Sequence, residues 1–315
     1  MNDVEDVEDA EDAADAADAE SDAAELVRQF DGRGPVAVAY SGGADSALVL
    51  AAAVRALGAA GVLAVTAVSE SLASGELERA AELAAALGVA HLTPRTRELE
   101  RAGYRANGPD RCYFCKSEVL DSIAAIAAAS GFRHVATGTN ADDATDPFRP
   151  GIRAGTERGV LTPLLDAGLT KPRVRRLSRH WSLPTWDKPA TPCLASRIAY
   201  GLRISGPRLA RVDQAEAAVR ARLLAAGVEV ADLRVRDLGG HRARVEVPAG
   251  ALSAAAAVPG LAGVLAAAGF DAGAVEVTAF RSGALNDPLT AAPGPLGPSG
   301  AAAGTSTGPG SSAPR

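Results

Sequence analysis

Val36-Ala37-Val38-Ala39-Tyr40-Ser41-Gly42-Gly43-Ala44-Asp45-Ser46 carries the reading of the fold. Val36–Tyr40 is a short apolar run of strand length. It breaks at a glycine pair, and a helical pattern of Ala, Leu and Val follows from Ser46 to about Leu57. A strand that turns through glycines into a helix leaves free backbone N–H groups at the helix start. The glycines let an anion approach closely, and the helix dipole favours negative charge there. Ser41 and Ser46 add hydroxyl donors. An ordinary strand-to-helix turn is the competing reading, but Ser-Gly-Gly-x-Asp-Ser behind a valine-rich strand is far more specific than a bare glycine pair. The stretch is not a Walker A loop, because the Gly-Lys-Ser/Thr ending is missing.

The alternation continues outward. Leu63–Val68 reads as a second strand, Glu76–Leu87 as a helix ended by Gly88, and His134–Thr139 as a strand opening onto Asn140–Asp143. Alternating strands and helices predict an α/β fold, a doubly wound, Rossmann-like parallel sheet with ligands beyond the carboxyl ends of its strands. The second half has a basic helix over Arg173–Trp181, a proline-bounded loop Pro184–Pro192 and a helix Arg208–Ala226. Strand-like runs follow at Leu233–Leu238, Ala243–Val247 and Val275–Phe280, with a helix near Leu261–Ala268. This predicts a smaller C-terminal α+β domain. The expected layout is a first domain over 25–200 and a second over 201–286. They are flanked by a disordered acidic tail at 1–24 and a disordered Pro/Gly/Ser/Ala tail at 287–315.

The 315-residue chain is 47% apolar, enough to bury a sizeable core, and no stretch reads as a transmembrane helix. Its acidic beginning lacks the bases of a secretory or transit peptide, so the cytosol is expected. The net charge of −6 misleads: residues 1–25 hold twelve acids and no base, and the remainder is about +6. A mildly basic body suits a small anionic ligand such as a nucleotide and gives little support to nucleic acid.

Three cysteines remain. Cys112 and Cys115 form Cys-Tyr-Phe-Cys just before an expected helix running to Ala129, and Cys193 stands alone in Pro-Cys-Leu-Ala-Ser-Arg. Structural zinc wants four ligands, and no histidine lies within ten residues of a cysteine. Three thiolates suit a [4Fe–4S] cluster with one iron left open for an exogenous sulfide. The alternative is three buried small hydrophobes. Asp142 and Asp143 follow the strand at His134–Thr139, where they either join Asp45 in holding Mg²⁺ beside phosphates or simply cap a helix.

The loop at 41–46 resembles the PP-loop of the ATP pyrophosphatases. That resemblance implies ATP cleaved between its α- and β-phosphates, pyrophosphate held by Ser41, Gly42, Gly43, Asp45 and Ser46, and an adenylated carboxyl or carbonyl oxygen. A second resemblance is more specific. Thr137–Asp143, Arg149-Pro150-Gly151, Thr170-Lys171 with Val174-Arg175, Lys188-Pro189-Ala190, Cys193–Arg197, Tyr200-Gly201 and Phe280–Asn286 together resemble the LarE family of ATP-dependent sacrificial sulfur transferases, over roughly residues 30–286. The resemblance implies a pyridinium dicarboxylate mononucleotide as substrate, whose ring carboxylate is adenylated and then converted to a thiocarboxylate. The product is the ligand that later holds nickel in the cofactor of lactate racemase.

The same resemblance implies that Cys193 gives up sulfur, either its own or, in the three-cysteine branch, sulfide carried by a [4Fe–4S] cluster on Cys112, Cys115 and Cys193. It assigns Ser196, Arg197, Arg234, Arg236 and Arg281 to the substrate phosphate. Strand alternation puts Arg234 and Arg236 on one face. Asp45, Asp142 and Glu216 are its Mg²⁺ ligands. It also implies a homo-oligomer, a sulfide donor and a downstream nickel-insertion protein as partners. Ala199 departs from the family, which usually has proline there, as does Ser205-Gly206-Pro207 at a helix start. The rivals are a cluster-bearing PP-loop tRNA thiolase, an amidotransferring synthetase that leaves the cysteines without a role, and a nucleotide-binding sensor that never turns over.

Overall fold

The structure, a computed structural model, describes residues 2–146, 149–281 and 283–284. Along the chain run α1 (Asn2–Arg28), β1 (Val36–Ala39), α2 (Ala44–Leu57), β2 (Val62–Val65), α3 (Glu76–Ala86), β3 (Ala90–Leu92), α4 (Ala102–Ala106) and α5 (Arg111–Ala129). Then come β4 (His134–Ala136), α6 (Ala141–Thr145), α7 (Pro150–Thr156), α8 (Pro163–Asp166) and α9 (Lys171–His180). The chain continues through α10 (Gly206–Ala225), β5 (Arg234–Asp237), β6 (Ala243–Val247), α11 (Leu252–Ala257), α12 (Leu261–Ala267) and β7 (Val275–Ala279).

The first sheet is parallel in the order β3-β2-β1-β4, so the expected doubly wound α/β architecture is what the chain adopts. The chain steps outward from β1 to β3 and then returns to the other side of β1. That reversal puts the topological switch point between β1 and β4, where such sheets bind ligands. Side-chain alternation builds the two faces. Val36 and Val38 of β1 and Val62 and Ala64 of β2 point into the core shared with α1, α2, α3 and α9. Ala37, Leu63 and Val65 point the other way, against Ile123 and Ala127 of α5.

The second sheet, β5-β6-β7, pairs β5 antiparallel and β7 parallel to β6 and packs on α10 and α11. Its core also takes in Leu194, Ala195, Ile198 and Ile204, and it reaches back to Tyr104 of α4. Both sheets lie in one compact unit ending at Ser282. No single helix among the described residues is long and apolar enough to cross a membrane. The expected tail at 287–315 lies outside the described residues.

The expected disordered tail at 1–24 is corrected. Residues 2–24 belong to α1, whose 27 residues run to Arg28. Ala19, Ala23, Leu26 and Phe30 are buried at spacings of four, three and four, a narrow stripe made half of alanine and therefore faint in the sequence. Asp22 is buried between Arg173 and Arg176 of α9. Asp15, Asp18 and Asp22, without a base nearby in sequence, find theirs on α9, 151 to 161 residues away. Burial alone would raise the Asp22 carboxyl; hydrogen bonds and charge from Arg173 and Arg176 override it and hold the acid below the ordinary aspartate range.

Candidate functional site

The phosphate loop follows β1 as the sequence predicts. Gly42 sits at φ +72°, and Gly43 takes the N-cap position of α2. Ser46 stiffens the turn: its Oγ accepts from the Ser41 N–H at 3.2 Å, shares a hydrogen bond with Ser41 Oγ at 3.1 Å, and donates to the Gly43 carbonyl at 3.1 Å. Across the switch point the segment after β4 closes on the loop. Gly138 approaches so tightly that a Cβ there would lie 2.7 Å from the Ser46 nitrogen. Asn140 Nδ2 donates to Asp45 Oδ1 at 3.3 Å.

Two lysines flank this loop. Lys171, at the start of α9, places Nζ 2.5 Å from Asp45 Oδ2, and its backbone N–H donates to Asp142 Oδ2 at 2.7 Å. Lys188 Nζ donates to the Gly42 carbonyl at 2.9 Å and pairs with Glu76 at 2.7 Å. The sequence reading quoted both lysines only as motif members. Their convergence is a long-range fact, invisible without the fold.

Cys112 and Cys115 lie in the first turn of α5, not before it as expected. A buried polar network carries them toward Cys193. Arg111 donates to Asn107 Oδ1 at 2.7 Å and to the Ala195 carbonyl at 3.0 Å. Fully buried Asn107, in the left-handed region at φ +55°, donates through Nδ2 to the carbonyls of Ala199 and Leu202 at 2.8 and 2.9 Å. Cys112 is exposed; Cys115 and Cys193 are half-buried and line a cavity of about 630 Å³. Ser41, Gly43, Asp45, Asp142 and Lys171 line the same cavity. The glycine loop after β1 and two of the three thiols therefore share one space, of the size small-ligand sites have. Burial pushes the Cys193 thiol up, and Arg111 partly offsets this; burial and the neighbouring thiols push Cys115 well above its ordinary value.

No protein-family model matches the chain. It is similar to an uncharacterized protein of Synechocystis sp., 47% identical over 197 residues that make up 62% of this chain and 73% of that protein. It is also similar to the pyridinium-3,5-bisthiocarboxylic acid mononucleotide synthase of Lactiplantibacillus plantarum, 33% identical over 258 residues, 82% of this chain and 91% of that enzyme. The chain belongs to the LarE family. An uncharacterized protein of Methanocaldococcus jannaschii is 28% identical over 131 residues, 42% of this chain and 48% of that protein.

As a LarE-family chain it carries the expected polar residues in two separate places. Asp45 and Asp142 stand at the phosphate loop. Asp143 forms a capping box with Asn140 at the start of α6, so the capping reading holds for it. Glu216 lines a different, larger cavity of about 1030 Å³. It is committed there to Arg197 Nε at 2.8 Å and to the Val235 N–H at 2.9 Å. It is not brought together with Asp45 and Asp142, and among the described residues no group of three or more His, Cys, Asp or Glu is arranged to hold a metal.

Arg236 is buried, with Nε and Nη2 on Glu246 at 2.9 and 2.8 Å and Nη1 on the Ser196 carbonyl at 2.5 Å. Its donors are directed inward, a correction to the expectation that both strand arginines face one free anion. Arg234 stacks on Phe280 at 4.0 Å, with Asp232 no nearer than 3.9 Å. Burial together with Arg197 and Arg236 lowers its affinity for a proton, the mark of a crowded cationic cluster. Arg197 holds the Pro192 carbonyl at 2.5 Å and shares Nη1 with Ser196 Oγ at 3.1 Å. It thereby braces the turn that presents Cys193. Arg281 lies exposed beyond β7.

Proposed function

We propose that this chain is an ATP-dependent sulfur transferase that converts a carboxylate of pyridinium-3,5-biscarboxylic acid mononucleotide to a thiocarboxylate, a step toward the nickel-pincer nucleotide cofactor, in the cytosol. Membership of the LarE family supports it. The observation that carries it is Cys193 lining the same cavity as the phosphate loop. A substrate carboxylate oxygen attacks the α-phosphorus of ATP, the α–β anhydride bond breaks, and pyrophosphate leaves toward the amides of Gly43, Ala44 and Ser46. Lys171 and Lys188 are cations within reach of that charge. A sulfur nucleophile then attacks the acyl carbon, and AMP departs with the oxygen.

Hard oxygen donors suit Mg²⁺, which usually takes one or two carboxylates and completes its shell with phosphate oxygens. Asp45 and Asp142 fit that demand and would hold it; Glu216 stands apart. Bound Mg²⁺ neutralises phosphate charge. The substrate phosphate falls to Arg234 with Ser196, and Arg281 belongs to the same reading; Arg197, committed to Glu216 and the Pro192 carbonyl, braces that cluster.

In the sacrificial form Cys193 Sγ is the nucleophile. Loss of its Cα proton with cleavage of the Cβ–S bond then leaves dehydroalanine and the thiocarboxylate. The cluster form, with [4Fe–4S] on Cys112, Cys115 and Cys193, draws support from Cys115 and Cys193 lining one cavity, with Cys112 three residues from Cys115 on α5. The three cysteine side chains as they stand are not arranged as a ligand set. Iron and sulfide analysis after anaerobic purification decides between them. Mass spectrometry of the small-molecule product tests the function itself: a sulfur-for-oxygen mass change that vanishes in Cys193→Ser supports it, and unchanged product from the variant overturns it.

A further inference from the structure

Cys193 does not sit on a regular element. It ends an irregular strap, residues 184–193, that leaves α9 and crosses the mouth of the phosphate loop before the 3₁₀ turn at Leu194–Arg197. Such a segment has few backbone hydrogen bonds of its own, so its position is set by a small number of attachments. Two are evident. At the thiol end, the Leu194 N–H donates to the Ser71 carbonyl at 2.8 Å. Midway, Lys188 reaches down to the Gly42 carbonyl at 2.9 Å and to Glu76 at 2.7 Å.

The second attachment is a built one. Both side chains are nearly buried, Lys188 at 15% and Glu76 at 8% exposure. Glu76 is the first residue of α3, and Arg79 supports its other oxygen at 2.5 Å. Lys188, Glu76 and Pro189 line both cavities, so this pair forms part of the wall between them. An ammonium bonded to the backbone of the phosphate loop itself ties the position of the strap to the loop that holds the nucleotide.

We propose that Lys188 and Glu76 form a latch that holds the Cys193-bearing strap against the phosphate loop, making them positioning residues for sulfur delivery. This rests on the reading that Cys193 delivers sulfur into the nucleotide cavity. A free strap leaves the adenylate to water, so loss of the latch uncouples pyrophosphate release from thiocarboxylate formation.

The test is the alkylation rate of Cys193 by a neutral thiol reagent in the full chain, with exposed Cys112 as internal reference, in Lys188→Met, Glu76→Gln and Lys188→Arg. Charge and access make opposite forecasts for Lys188→Met and the same one for Glu76→Gln. Removing a cation raises a nearby thiol's pKa and slows alkylation, whereas removing an anion lowers it and speeds alkylation. Loss of the latch instead speeds both. The expected result is a rise of roughly tenfold or more in both Lys188→Met and Glu76→Gln, the scale of one lost charge-assisted hydrogen bond, with most of it reversed in Lys188→Arg. The expected companion is a higher ratio of pyrophosphate to thiocarboxylate in the first two. Opposite shifts, or wild-type rates in both folded variants, overturn the latch. Alkylation needs no substrate, so a wild-type chain that makes no thiocarboxylate sinks the functional reading separately.

Discussion

Replacing Gly138 by alanine asks whether the packing of the β4 exit on the phosphate loop is as tight as it looks. The added Cβ would lie 2.7 Å from the Ser46 nitrogen and 3.0 Å from the Asp45 carbonyl carbon, whereas ordinary contact begins at 3.4 Å. The deficit is about 0.7 Å at the nearest atom, and the obstacle is helix backbone, which cannot rotate aside as a side chain does. Overpacking of this kind costs about 1–3 kcal/mol. Against a typical total of about 5–15 kcal/mol the protein stays folded. With a urea slope of about 1–3 kcal/mol/M, the unfolding midpoint should fall by roughly 1 M. The displaced loop also loses an amide aimed at phosphate. One charge-assisted hydrogen bond is worth about 1.5–3 kcal/mol, so ATP affinity by calorimetry should drop at least about tenfold. Gly151→Ala is the control: there a Cβ meets nothing nearer than 3.5 Å, inside helix α7, and stability should hold or rise. A Gly138→Ala protein with the wild-type urea midpoint and ATP affinity would refute the reasoning.

The remaining predictions concern charge. Asp22→Asn should lower stability by about 1–2 kcal/mol, less than a fully buried pair, because Arg173 and Arg176 are 41% and 28% exposed. Since the folded carboxyl titrates below the ordinary 3.8, its contribution is complete above that pH and is lost as pH falls through the folded value. The gap in urea midpoint between the two proteins should therefore shrink steadily as pH falls below 3.8, and a gap that stays constant or widens there counts against the pairing. Arg111→Met leaves Asn107 Oδ1 and the Ala195 carbonyl without their donor and should cost about 2–4 kcal/mol by urea unfolding. It should also move Cys193 alkylation to still higher pH, and an unmoved pH profile contradicts the role assigned to the guanidinium. Arg234→Ala should raise KM for the mononucleotide roughly tenfold or more with little change in kcat, and a pure kcat effect argues against phosphate binding.

The elements that the sequence made legible are those whose signal is local. Val36–Ala39 with its glycine turn, the helix starting near Glu76 and the strand at Ala243–Val247 lie within a residue or two of their expected bounds. Each combines an apolar period with a punctuating glycine or proline. Helix α1 gives no such local signal, because its buried stripe is half alanine and its charge partners lie on α9. Short elements such as β3 and α4 are three and five residues long, too brief for a period to register.

The site divides along the same line, and this explains why its chemistry was easier to read than its wiring. Ser41, Asp45 and Ser46 act through their neighbours in sequence, so one motif reveals them. Arg236 and Glu216 carry the right chemistry, but their partners are fixed by contacts no local pattern encodes: Arg236 with Glu246 across a strand pair, and Glu216 with Arg197 across 19 residues. Alternation correctly puts Arg234 and Arg236 on one face of β5, yet a face is not a ligand. Phe280 and Glu246 decide which guanidinium stacks and which turns inward. Cys193 follows the same logic. Its identity is legible in Pro-Cys-Leu-Ala-Ser-Arg, but its arrival at the phosphate loop depends on Ser71, Glu76, Asn107 and Arg111, each more than eighty residues away and each holding backbone or a lysine rather than the thiol itself.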